Sequence, residues 1–322
     1  MPPTSTFQPE IPDAFAARAA LGRGVNMGNM LEAPREGEWG VYIQEKYFDA
    51  INAAGFDSVR IPIRWNAHAA AAAPYSVDAS FFARVDQVVA WALARGLTVI
   101  VDFHHYEEMM SNPNGHRERY LAIWRQVAEH YKDYPATVLF ELLNEPNSAQ
   151  DVSTWNSLLP QALAVVRESN PIRNVIIGPT QWNSASMIET LQLPADDTRI
   201  IATFHFYEPF EFTHQGAEWM DGADAWLGTT WDATDSQEND ITRQFDRVAA
   251  WARTNNRPIL LGEFGAYSKG DPASRVRWTS FVAREAEKRD FAWAYWEFCA
   301  GFGVYDPNTD TWREDLLNAL IP

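Results

Sequence analysis

Short apolar runs rich in β-branched residues recur along the chain at 22–27, 58–63, 98–103, 138–143, 174–178, 200–206, 259–264 and 291–296. Between most of them the apolar residues return every three or four positions, as in VYIQEKYFDAINAAG, SFFARVDQVVAWALARG, RERYLAIWRQVAEHY and ITRQFDRVAAWARTNN. The first pattern predicts strands buried on both faces, the second amphipathic helices. Gly55 and Gly96 stand where helix C-caps are expected. Strands alternating with helices imply a parallel sheet covered by helices, and eight such units in 322 residues predict an α/β fold, a (β/α)8 TIM barrel. The glycines of GRGVNMGN are wrongly spaced for the phosphate loop of a doubly wound sheet. No linker, low-complexity tract or short repeat divides the chain, so one catalytic barrel domain over 1–322 is expected. The longest gap, 206–259, contains EPFEFTHQGAEWMDGADAWLGTTW and predicts a cleft wall or lid.

Charge removes two classes of partner. With 43 acidic against 26 basic residues the net charge is −17, a field that repels nucleic acid and anionic membrane surfaces. No apolar run reaches the roughly 18 residues of a membrane span. The start, MPPTSTFQPE, has neither a basic nor an apolar leader region, so a soluble chain with its secretion signal absent or trimmed is expected. Cys299 is the lone cysteine, which excludes an internal disulfide and leaves a thiolate zinc site short of ligands. The excess is in tryptophan, with 14 residues. These belong either to the core or to a cleft where flat rings stack on sugar faces.

In such a barrel, chemistry sits at the C-terminal ends of the strands. The residues found there are Asn29, Trp65, His104 and His105, Asn144 and Glu145, Trp182, His205 and Tyr207, Glu263, and Trp296 with Glu297. Taken singly, each has a plain structural reading: Asn144 as a helix cap, the histidines as satisfied core residues, the tryptophans as packing. Arg60, inside SVRIPI, requires an anionic partner. Glu141 shares a face with Glu145 by alternation, points into the barrel, and is paired here with Arg60.

Two carboxylates are harder to explain as structure, because LLNEP and LLGEFG both push a glutamate out of a buried strand toward one mouth. Environments that separate their pKa values would let one donate a proton while the other attacks, as in retaining glycoside hydrolysis. An Arg and a Tyr nearby would hold the second as an anion.

The segments LGRGVNMGNMLEAP, VRIPIRW, VIVDFHHYEE, FELLNEPN, ATFHFYEP, ILLGEFGAY and WAYWEF together resemble glycoside hydrolase family 5, the barrel family of endoglucanases and mannanases. The stretch GNMLEAPREGEWG looks most like its single-domain thermophile-type endo-β-1,4-glucanases. The resemblance implies Glu145 as acid/base and Glu263 as nucleophile, with Arg60 and Tyr207 beside Glu263, His205 beside Glu145, and Asn144 on the sugar 2-hydroxyl. It further implies that His104 and His105 line the sugar site, that Trp296 stacks under the ring whose bond breaks, and that Asn29, Glu32 and Glu297 face bound sugar. Trp182, Trp219 and Trp296 are expected as sugar platforms; Trp91, Trp124 and Trp251 are expected as helix-face packing. Asn29 and Glu32 are expected to set the choice between glucose and mannose.

The expected activity is thus a retaining endo-β-1,4-glucanase on β-1,4-linked polysaccharide, with mannan as a second substrate, no cofactor and no metal. Substrate size implies a secreted protein, and a monomer is expected. A mannanase or xyloglucanase of the same fold is the alternative within the class. A metal-dependent hydrolase is the rival suggested by His104 and His105, although adjacent strand residues point to opposite faces. A non-catalytic sugar-binding relative is the other rival, and it should lack one of the two glutamates, whereas both are present.

Overall fold

All eight predicted runs form strands in the computed structural model, which describes residues 12–322. They are β1 (Arg23–Asn26), β2 (Ser58–Ile63), β3 (Thr98–Phe103), β4 (Val138–Glu141), β5 (Val175–Ile177), β6 (Ile200–Phe206), β7 (Ile259–Phe264) and β8 (Ala292–Tyr295). Each pairs in parallel with its neighbour, and β8 returns to β1, closing a (β/α)8 barrel. The opening segment, on which the expectation about a leader rests, lies outside the described residues. No helix among the described residues is long and apolar enough to cross a membrane.

The four periodic segments are helices Glu45–Ala54, Ala79–Leu93, Pro113–His130 and Asp235–Asn255. Gly55 caps the first with a left-handed φ of 91°. Gly96 does not cap the second, whose C-cap is Ala94; it turns the chain two residues later.

Alternation sorts the strand residues into two environments. Outward residues such as Val25, Val59, Val101, Phe140 and Leu261 pack against the helices. Inward residues Ile100, Leu139, Ile176, Ile201, Leu260 and Ala292 make an apolar floor, plugged from below by Ala14, Ala17 and Leu21 of helix Ala14–Leu21. Above the floor the interior turns polar, with Asn26, Arg60, Asp102, Glu141 and Thr203 all fully buried. The expected Arg60–Glu141 pair is present and bidentate, at 2.7 and 2.9 Å.

One strand departs from alternation, and the site depends on it. Phe204 of β6 lies opposite Leu261 of β7, but the next residue, His205, lies opposite Glu263. Gly262 is the extra residue of a β-bulge. Leu261 and Phe264 both face the helices although three positions apart, and Glu263 between them is turned inward. A Cβ at Gly262 would fall 2.7 Å from Thr203 Oγ1 and 2.9 Å from His205 Nε2, so only glycine fits there.

The predicted cleft wall holds the short helix Phe210–Thr213 and a tight turn at Ala223–Trp226. It packs through Ala217 and Ala223 onto Tyr267 and Phe302 from the exits of β7 and β8.

Candidate active site

β4 ends at Glu141, two residues before the predicted boundary, yet its backbone continues to be held. Leu142 donates to Ile176 O, and its own carbonyl accepts from the Tyr120 hydroxyl at 2.7 Å and Trp124 Nε1 at 2.9 Å. The following turn carries Glu145 at a φ of 48° and aims it over the mouth. Asn144 does not cap the next helix, whose N-cap is Asp151. Its Oδ1 instead accepts from Arg60 Nη2 at 2.8 Å, and its Nδ2 donates to His104 Nε2 at 3.3 Å. His104 Nδ1 in turn meets Asp102 at 2.6 Å. That leaves one amide hydrogen of Asn144 without a partner in this set.

Arg60 organises the centre. Its guanidinium reaches Glu141, Asn144, Asn26 at 2.9 Å, Glu263 at 2.7 Å and Asp102 at 3.1 Å, while wholly buried. Asn26, which sequence reasoning missed, donates to the carbonyls of Gly262, Ala294 and Tyr295 and so ties β1 to the bulge. Asp102, within VIVDFHHYEE, carries no sequence signal of its own; its contacts with Arg60 and His104 give it a role.

Glu263 accepts from Arg60 through Oε1 and from the Tyr207 hydroxyl through Oε2 at 2.8 Å. Glu145 Oε1 meets His205 Nδ1 at 2.7 Å. One oxygen of each glutamate and His205 lie within 4.8 Å of one another. Burial pushes Glu145 up to about 8 against the pull of Arg60. Burial also raises Glu263, to about 7, less far because His205, Arg60 and Tyr207 favour its anion. Burial drives His205 down to about 4, so its ring is neutral near neutral pH. The order of the two carboxyls follows from their donors: Glu263 receives two from cationic or phenolic groups, Glu145 one from a neutral ring.

Among the described residues, the same three side chains are the ones that could gather around a cation. They do not suit one: both Glu263 oxygens are engaged, and the Arg60 cation lies against them. His104 and His105 lie beyond the end of β3, so strand alternation does not separate them; their rings meet edge to face at 4.6 Å.

The remaining predicted residues fall into three groups. Trp296 stacks on His104 at 5.6 Å and 7° between planes and is half-buried. Trp182 and Trp219 stand on the rim, 57% and 60% exposed, where a ligand can reach them. Glu32 and Glu297 differ from expectation, since both are wholly buried and bind backbone amides rather than facing the cleft. Glu32 accepts from Asn29 N and Met30 N, while Glu297 accepts from Cys299 N, Ala300 N and Phe302 N. Asn29, half-buried at a φ of 65°, is held in its turn by Glu32. Trp65 is core, packed on Phe81 at 5.6 Å.

The profile of the family described as Cellulase (glycosyl hydrolase family 5) matches residues 20–301. The chain belongs to glycosyl hydrolase family 5. Within that family it is similar to Thermotoga maritima Cel5A solved in complex with mannotriose, at 51% identity and a TM-score of 0.95, covering 96% of this chain and 100% of that one. A structure of the same protein with cellobiose matches equally, at 51% identity, a TM-score of 0.95 and the same coverage. Endoglucanase H of Acetivibrio thermocellus is 38% identical over 99% of this chain and 35% of its own length. The chain thus spans about a third of the length of that curated relative.

Proposed function

We propose that this family 5 chain is an endo-β-1,4-glucanase that cleaves internal bonds of glucans with retention of anomeric configuration, and that 1–322 acts as one catalytic barrel. The observation that carries this reading is the spacing of Glu145 and Glu263, whose oxygens approach within 4.8 Å. Retaining enzymes hold their carboxyls about 5 to 5.5 Å apart, whereas inverting ones leave about 6.5 to 9.5 Å for a water.

In the first step Glu263 attacks the anomeric carbon and the C–O bond to the leaving sugar breaks, while Glu145 gives its proton to the departing oxygen. Water then attacks the glycosyl ester, its proton passes to Glu145, and Glu263 leaves as the free carboxylate. Arg60 and Tyr207 favour the Glu263 anion that attacks, offsetting part of the effect of its burial. Glu145 uses only Oε1 on His205, so Oε2 is open to the leaving oxygen. In this reading the open hydrogen of Asn144 serves the sugar 2-hydroxyl, and Trp296 the ring face. No step requires a cofactor or metal.

Mannan is the proposed second substrate, because a protein 51% identical to this one has been solved with both cellobiose and mannotriose. Secretion and a monomeric state are part of the same reading: a polymer must be met outside the cell, and a single barrel carries both glutamates at its mouth. Reducing-end release from soluble β-glucan, galactomannan, xyloglucan and xylan tests it. Rapid viscosity loss on β-glucan is expected, with slower release from mannan. No release from any of the four would reject the reading.

A further inference from the structure

Gln181, Trp182 and Asn183 have φ of 55°, 56° and 53°, three successive left-handed residues of which none is glycine. Side chains resist this conformation, and such runs persist only where the surroundings enforce them. Here they are enforced from both sides of the Glu145–His205 contact. Trp182 N donates to Pro146 O at 3.2 Å, and Thr180 Oγ1 reaches the same carbonyl at 3.2 Å, so the turn is tied to the residue following Glu145. Ser184 then forms a parallel bridge with His205 itself. Between these ties Asn183, fully buried, directs Nδ2 at His205 Nε2 at 3.3 Å. Gly178 makes the space, since a Cβ there would fall 2.2 Å from Asn183 Oδ1.

We propose that Asn183 is a positioning residue for proton transfer: by donating to Nε2 it fixes the His205 ring with Nδ1–H directed at Glu145. The inference rests on the reading of Glu145 as the acid/base. With Nε2 occupied as an acceptor, the only ring hydrogen is on Nδ1, where it holds one carboxyl oxygen and leaves the other for the substrate. Without Asn183 the ring can carry its hydrogen on Nε2, and Glu145 loses a donor that favours its ionised form.

Other charges face this pair and are unchanged by the substitution. Glu263 Oε2 lies 3.6 Å from His205 Nδ1, and Arg60, Glu141 and His104 act on the same ring. Asp102 and Tyr207 act on Glu145.

The test compares wild type, Asn183→Ala and Asn183→Asp by the pH dependence of kcat/KM on a soluble β-glucan, with thermal melting to establish that each is folded. Since Glu145 must be protonated to act as acid, its titration sets the alkaline limb. Loss of the donor in Asn183→Ala moves that limb to higher pH by about half a unit or more. Asn183→Asp keeps the shape but accepts from Nε2–H, which favours an imidazolium that holds Glu145 as an anion, so the limb moves to lower pH. Opposite movements support the inference. Limbs that stay at the wild-type position, or move the same way in both variants, overturn it even if rates fall. A wild type inactive on the glucan would instead overturn the functional reading on which it rests.

Discussion

His205 stands opposite Glu263 across β6 and β7 because Gly262 is left out of the ladder. The bulge brings the proposed nucleophile onto the face that carries Arg60 and Glu145. Gly262→Ala should therefore injure both stability and chemistry. Its methyl group would press on Thr203 and on the His205 ring, costing about 1 to 3 kcal/mol. The shift of Glu263 should cost about 10²-fold in kcat/KM. Melting and steady-state kinetics check this together; a variant with wild-type kcat/KM would show that the bulge does not set the position of Glu263.

Tyr207 donates to Glu263 and favours its anion, which the attack requires. Tyr207→Phe removes that donor, so Glu263 titrates higher and more of it is protonated at a given acidic pH. The acidic limb of kcat/KM should move up by about one pH unit. An unmoved acidic limb would contradict the role assigned to this hydroxyl.

Two tryptophans separate packing from recognition. Trp124 is fully buried and donates to Leu142 O behind the Glu145 strand, so Trp124→Ala should cost about 3 to 5 kcal/mol. Trp219 is exposed and meets Tyr267 edge to face at 4.9 Å. Its truncation should cost about 1 kcal/mol or less in stability while raising KM on polymer. Equal melting losses with unchanged kinetics for Trp219→Ala would remove it from the sugar platforms.

Glu32 holds the amides of Asn29 and Met30 rather than a sugar hydroxyl. Glu32→Ala should loosen the loop and lower kcat/KM on glucan and on mannan by the same factor. A loss confined to one polymer would restore the original expectation that Glu32 chooses between the two sugars.

These last residues mark where the sequence ceases to be readable. Strand number, barrel closure and the Arg60–Glu141 pair follow from periodicity and from the cost of a lone buried charge. Glu145 and Glu263 stand out because a carboxylate leaving an apolar strand has few structural explanations. Strict alternation through LLGEF, however, would turn Glu263 toward the helices, and nothing but the glycine hints at the bulge. Glu32 and Glu297 lie in loops, where a carboxylate bound to amides looks the same in sequence as one facing sugar. Asn26 and Asn183 act through partners more than thirty residues away or on other strands, a relation that local pattern does not carry. Asn144 has the local look of a helix cap, but its partners are Arg60 and His104, from β2 and the exit of β3.

The central claim is direct attack by Glu263 with proton transfer by Glu145, and the first product carries its signature. Proton NMR during the earliest hydrolysis of a soluble β-1,4-glucan oligosaccharide reports the anomer released before mutarotation. Two displacements at one carbon predict that the β-anomer appears first and the α-anomer only as mutarotation proceeds. Initial appearance of the α-anomer would contradict the account, because a single displacement by water cannot be reconciled with Glu263 as the nucleophile.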